Sequence, residues 1–117
     1  MYPPRNTPYL FLLIVGCNEP EATCAALCPE FTRARGACLA ERGLSWSDAG
    51  YGSAQDHQIA CETWAWEQAQ IARSQHTTDT LRGACSARAT LLANQPSCVE
   101  LDDWDWNLAR SEPVSDQ

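Results

Sequence analysis

Residues 53–74, SAQDHQIACETWAWEQAQIARS, decide the fold class. Ser53 is a good N-cap, and Asp56 sits in the first turn, where the positive end of the helix dipole favours a carboxylate. Beyond the cap, Cys61, Trp64, Ala65, Gln68, Ile71 and Ala72 recur at helical spacing and share one face. That pattern is amphipathic, with a single polar interruption. A run of this length and period predicts a helix over 54–74, and similar signals recur on both sides of it.

Toward the C-terminus, Thr77 or Thr78 caps a helix reaching about Asn94, buried through Leu81, Ala84, Cys85, Leu91 and Leu92 and stopped by Pro96. Ser97-Cys98-Val99-Glu100 has the form of a capping box. The helix it opens buries Cys98, Leu101, Trp104 and Leu108. Its acids, Glu100, Asp102, Asp103 and Asp105, crowd the N-terminal half and Arg110 closes the other end, which suits the dipole. Residues 111–117 read as a frayed, flexible tail.

Toward the N-terminus, Leu44 to Gly52 reads as a loop punctuated by Gly50 and Gly52. Before it, Pro29 to Arg42 carries Phe31, Ala34, Ala37 and Cys38 near helical spacing. Gly43 is a left-handed stop with Leu44 as its apolar partner. Asn18-Glu19-Pro20-Glu21 caps a helix holding Cys24, Ala25 and Cys28, which Pro29 should break. Strand signals do not recur. The expected architecture is all-α, a small antiparallel bundle of about four short helices.

The chain has 117 residues, 44% hydrophobic and 20% charged, with seven cysteines and a net charge of -7. This suits one small folded domain. The acidity argues against affinity for phosphate backbones, so no nucleic-acid partner is expected.

Seven residues, Tyr9-Leu10-Phe11-Leu12-Leu13-Ile14-Val15, form an apolar run too short to span a bilayer, and Gly16-Cys17 follows at once. The stretch Leu13-Ile14-Val15-Gly16-Cys17 resembles the lipobox of bacterial lipoproteins, with Ile14 and Gly16 in the aliphatic and small positions. That resemblance implies residues 1–16 as a signal peptide cut before Cys17. It also implies diacylglycerol on the Cys17 thiol and a membrane-lipid partner for the acylated end. In the same family an aspartate after the cysteine marks inner-membrane retention. Asn18 therefore implies the outer membrane of a Gram-negative cell envelope. Residues 17–23 become anchor and tether, and 24–110 a cysteine-rich helical domain.

Setting Cys17 aside leaves an even six: Cys24, Cys28, Cys38, Cys61, Cys85 and Cys98. In an exported small domain they read as three disulfides, which makes the bundle disulfide-stapled. A hairpin of 29–42 and 54–74 turning near residue 48 would place Cys38 opposite Cys61, the best-supported pair. Cys28–Cys85 with Cys24–Cys98 would complete the set.

Other constellations are weaker. Cys24-x3-Cys28 with His57-x3-Cys61 has the composition of a Cys3His metal site, but disulfides and a solvent-facing His57 are the simpler reading. The spacing Cys28-x9-Cys38 lacks the second pair of a twin CX9C hairpin. Asp103-Trp104-Asp105-Trp106-Asn107 lacks the glycine and terminal glutamate of an EF-hand. Neither His57 nor His76 stands in a catalytic motif, so neither an enzyme nor a cofactor is expected.

The tryptophans fall at Trp46, Trp64-x-Trp66 and Trp104-x-Trp106. Helix neighbours two apart point about 200° apart, so Trp64 and Trp104 should face inward and Trp66 and Trp106 outward. Trp46, Tyr51, Trp66 and Trp106 are the candidate interaction surface for an envelope protein partner. A non-catalytic structural or protein-interaction module is the leading functional expectation. A small-ligand or metal-binding periplasmic protein and an inhibitor of an exported enzyme are the competing ones.

Overall fold

The structure, a computed structural model, describes residues 20–110. They form helices α1 (Pro20–Ala25), α2 (Cys28–Glu41), α3 (Ala54–Gln75), α4 (Thr78–Ala93) and α5 (Cys98–Arg110), with no strand among the described residues. The six-residue α1 is a prelude to α2. Leu27 N–H bonds to the Cys24 carbonyl at 3.2 Å, and Phe31 N–H bonds to the Leu27 carbonyl at 2.9 Å. Pro29 separates the two helices, because it has no N–H to donate and its ring crowds the carbonyl four residues back. The result is an all-α fold of four longer helices and a short leading turn.

Two of the expected side-chain caps form, at Ser53 and Ser97, whereas Thr77, at the N-cap of α4, makes no side-chain cap bond. Ser53 Oγ accepts the Asp56 N–H at 3.1 Å. At α5 the reciprocal box closes, with Ser97 N–H donating to Glu100 Oε1 at 2.8 Å and Glu100 N–H to Ser97 Oγ at 3.3 Å. Gly43 ends α2 with φ +70°, which costs a residue without Cβ nothing, and Leu44 N–H reaches back to the Leu39 carbonyl at 2.8 Å. At the end of α3, His76 takes the left-handed position usually left to glycine.

The core is thin and rich in alanine and sulfur. Leu27, Phe31, Trp64, Ala65, Ala69, Ala72, Leu81, Leu92 and Leu101 are buried together with Cys24, Cys28, Cys61 and Cys85. Leu91, expected inside, lies outside it: the inward stripe of α4 runs through Leu81, Ala84, Cys85 and Leu92, and Leu91 falls at the outer edge of that stripe.

The disulfides are Cys24–Cys85, Cys28–Cys61 and Cys38–Cys98. All six expected cysteines are paired, but the expected partners, Cys38–Cys61, Cys28–Cys85 and Cys24–Cys98, are not observed. The cause is hairpin register. Cys28 faces Cys61 and Thr32 faces His57, which centres the α2–α3 hairpin at about residue 44 rather than 48. The last turns of α2 therefore overshoot the start of α3. Cys38 stands beyond α3, where the incoming α5 presents Cys98. Arg35 and Arg42 in the same overshoot meet Asp102 of α5 at 3.1 and 3.0 Å. α1 packs on α3 and α4, which brings Cys24 to Cys85.

Candidate functional site

Two of the four expected surface aromatics, Trp46 and Tyr51, belong to the 42–53 loop, and the turn chemistry there explains their position. Asp48 organises the turn: its Oδ2 accepts from Ser45 N–H at 2.8 Å and from Ser45 Oγ at 3.0 Å. These donors hold the Asp48 carboxyl below the ordinary aspartate range, the backbone bond contributing most. Tyr51 N–H then closes onto the Trp46 carbonyl at 2.9 Å. The loop doubles back over α2, and the Trp46 indole lies against Gly36. A Cβ on Gly36 would stand 3.1 Å from Trp46 Cζ2.

Trp46 and Tyr51 thus come together, half-buried, as the roof over His57. The His57 ring lies 5.0 Å from Trp46, 4.8 Å from Tyr51 and 5.1 Å from Phe31. Its Nδ1 is 2.7 Å from Thr32 Oγ1. His57 is fully buried, which overturns the expectation that it faces solvent. The signal was present in the sequence: His57 precedes Cys61, Trp64 and Gln68 at spacings of four, three and four. It therefore belongs to the same inward stripe of α3. The two loop aromatics pack their rings against this histidine and stay half-exposed.

Trp66 stands apart from them. It is 59% exposed on the outer face of α3, two turns from the similarly exposed Ile59, while Trp64 is buried, as the 200° rule requires. The fourth aromatic, Trp106, has a side chain outside the described residues, as do the lipobox with Cys17 and the 111–117 tail.

A second cluster has no counterpart among the sequence expectations. Arg88 of α4 places its guanidinium over two indoles, 5.6 Å from the Trp64 ring and 5.7 Å from the Trp104 ring. Phe31 meets Trp104 edge-on at 5.5 Å and so links this cluster to the His57 cage. Leu27, Phe31, Cys61, Trp64, Arg88 and Trp104 enclose a small, mainly apolar recess. Burial lowers the pKa of Arg88, and the negative charge of Asp103 offsets part of that. Nothing local marks this residue, because an arginine on an alanine-rich helix looks like an ordinary exposed charge.

Chemically, the two clusters offer aromatic faces, one half-buried cation and a hydrogen-bonded histidine–threonine pair. The cysteines of the Cys3His constellation are taken up in two different disulfides. Among the described residues no three metal-ligating groups converge, and no helix is long and apolar enough to cross a membrane. No family model, no curated protein and no solved structure matches this sequence.

Proposed function

We propose that the protein is a cell-envelope lipoprotein whose helical domain is a non-catalytic protein-interaction module, held at the outer membrane through an acylated Cys17. The observation that carries this reading is the fate of the cysteines. Of seven, the six after Cys17 close three disulfides, which leaves Cys17 as the one thiol with a different use. Stable disulfides belong to oxidising compartments. An apolar run ending in Gly16-Cys17 is what would deliver the protein there.

Geometry suits the anchor as well. Cys17 precedes the first residue of α1, Pro20, by three positions. At roughly 3.5 Å per residue the lipid would lie within about 10 Å of α1. The domain would ride close to the bilayer, with the exposed Trp66 and Ile59 strip and the Arg88 cluster as its contact features. The partners under this reading are membrane lipid through Cys17 and a second envelope protein.

Intact mass of the membrane-extracted protein, with and without reduction and alkylation, tests the reading. It expects loss of residues 1–16, a lipid-sized increment on Cys17, and no thiol that alkylates before reduction. A retained leader with free thiols overturns it.

A further inference from the structure

We propose that the Cys38–Cys98 bridge is a redox-sensitive latch on α5, which an external dithiol opens ahead of the other two bridges, loosening α5 while α1–α4 stay folded. This goes beyond the interaction-module reading and does not depend on the anchor.

Three observations converge on this bridge. The first is access. Thiol–disulfide exchange needs a thiolate to reach one of the two sulfurs. Cys24, Cys28, Cys61 and Cys85 are between 0% and 1% exposed, so both of their bridges lie inside the core. Cys98 is half-buried and stands in the first turn of α5 beside Val99, which is 73% exposed.

The second is where the electrons go. A reductant thiolate that attacks Cys98 Sγ forms a mixed disulfide there, and the Cys38 thiolate leaves with the electron pair of the broken S–S bond. Arg35 and Arg42, three before and four after Cys38, share its side of α2 and both reach Asp102 of α5, at 3.1 and 3.0 Å. Two cations against one carboxylate leave net positive charge on the side from which the sulfur departs. The second thiol of the reductant, once deprotonated, attacks the reductant's own sulfur in the mixed disulfide. That step closes a cyclic disulfide on the reductant and expels the Cys98 thiolate. Cys98 is the first residue of α5, where the helix dipole favours a negative charge. Over both steps the dithiol loses two electrons and two protons, and the Cys38 and Cys98 thiols gain them.

The third is topology. Cys24–Cys85 joins α1 to α4 and Cys28–Cys61 joins α2 to α3, so neither bridge holds α5. Cys38–Cys98 is the covalent tie of α5 to α2, beside the buried Leu101, the half-buried Trp104 and the two arginines on Asp102. Its opening therefore loosens one helix and leaves the other four stapled. In the oxidised protein α5 sets Trp104 against Phe31 and Arg88, and those are the side chains that a loosened α5 uncovers.

The test is staged reduction of the full, oxidised, detergent-extracted protein with increasing dithiothreitol. At each stage one sample is alkylated with iodoacetamide and mapped by peptide mass, and a parallel, unalkylated sample is read by amide exchange. Cys38 and Cys98 should alkylate first, at a dithiothreitol concentration about tenfold or more below that needed for the other four. At that stage the α5 amides should exchange on the order of 10²-fold faster, while those of α3 and α4 keep their protection. A Cys38→Ser/Cys98→Ser protein should show the loosened α5 without reductant and no change at the first stage. Alkylation of all three pairs together, or of another pair first, overturns the latch. Loss of protection in every helix at once overturns it too, as does an α5 that keeps its protection when Cys38 and Cys98 have been reduced. Should the serine variant fail to fold, staged reduction of the natural sequence decides alone.

Discussion

Opening the Cys38–Cys98 bridge by paired alanine substitution should lower stability by about 3.5 kcal/mol, not by the larger amount its span suggests. The bridge joins residues 60 apart, and an isolated loop of that length would restrict the unfolded state by about 4.3 kcal/mol. The unfolded state is not an isolated loop, however. From Cys38 back to Cys24, across the Cys24–Cys85 bridge and on to Cys98, the path is about 27 residues. The same count for Cys28–Cys61, through Cys24–Cys85, is about 28 residues against a separation of 33. The entropic contributions of these two bridges are therefore nearly equal, at about 3.5 kcal/mol each. Packing then decides the order. Cys28 and Cys61 are essentially inaccessible, whereas Cys98 is half-exposed, so the Cys28–Cys61 pair should cost more to remove. Thermal melts followed by circular dichroism read this directly. At about 4–8 °C per kcal/mol for a domain of this size, the Cys38→Ala/Cys98→Ala protein should melt about 14–28 °C lower. The Cys28→Ala/Cys61→Ala protein should melt lower still. A fall under about 5 °C, or the reverse order of the two pairs, would refute the path argument.

Gly83 and Gly36 are mid-helix glycines of opposite sign. A Cβ on Gly83 meets nothing, so Gly83→Ala should stabilise by about 0.5–1 kcal/mol, whereas Gly36→Val must displace Trp46 and should lower the melting point. Thr32→Val removes the partner of buried His57 Nδ1 and should cost about 1–3 kcal/mol in urea unfolding. Glu100→Ala opens the capping box of α5 and should cost about 1 kcal/mol by the same measurement. For pH, the Asp48 carboxyl is depressed by its bonds to Ser45. Its support for the loop is present above the unfolded-state pKa and is lost as pH falls through the folded one. A carbon-detected titration should find Asp48 ionising at lower pH than in Ser45→Ala.

How much of this was legible in the sequence depended on whether a feature was local. Ser53, Ser97–Glu100, Gly43 and Pro29 act through their own backbone within a turn, and each does what its residue type requires. The inward Trp64 and outward Trp66 follow from helical period alone. The bridges did not follow, because pairing depends on where two helices start relative to one another. A loop that folds back on Gly36 shifts that register by several residues without any mark in the periodicity. His57 was legible and misjudged: its stripe pointed inward, but its residue type and first-turn position suggested solvent. Arg88 was invisible, since its significance lies in Trp64 and Trp104, which only tertiary packing brings to it.

The bridge pattern also bears on the order of manufacture. Each of the first three paired cysteines, Cys24, Cys28 and Cys38, joins one of the last three, and no bridge spans consecutive half-cystines of the first trio. A ribosome or a translocon delivers the polypeptide from its N-terminus, so three thiols emerge before any correct partner exists. An oxidant that joins thiols as they appear would make Cys24–Cys28 first, a link that has to be undone. On that route the domain would mature through thiol–disulfide exchange, and its yield in oxidative refolding should depend on an isomerase more than on the oxidant.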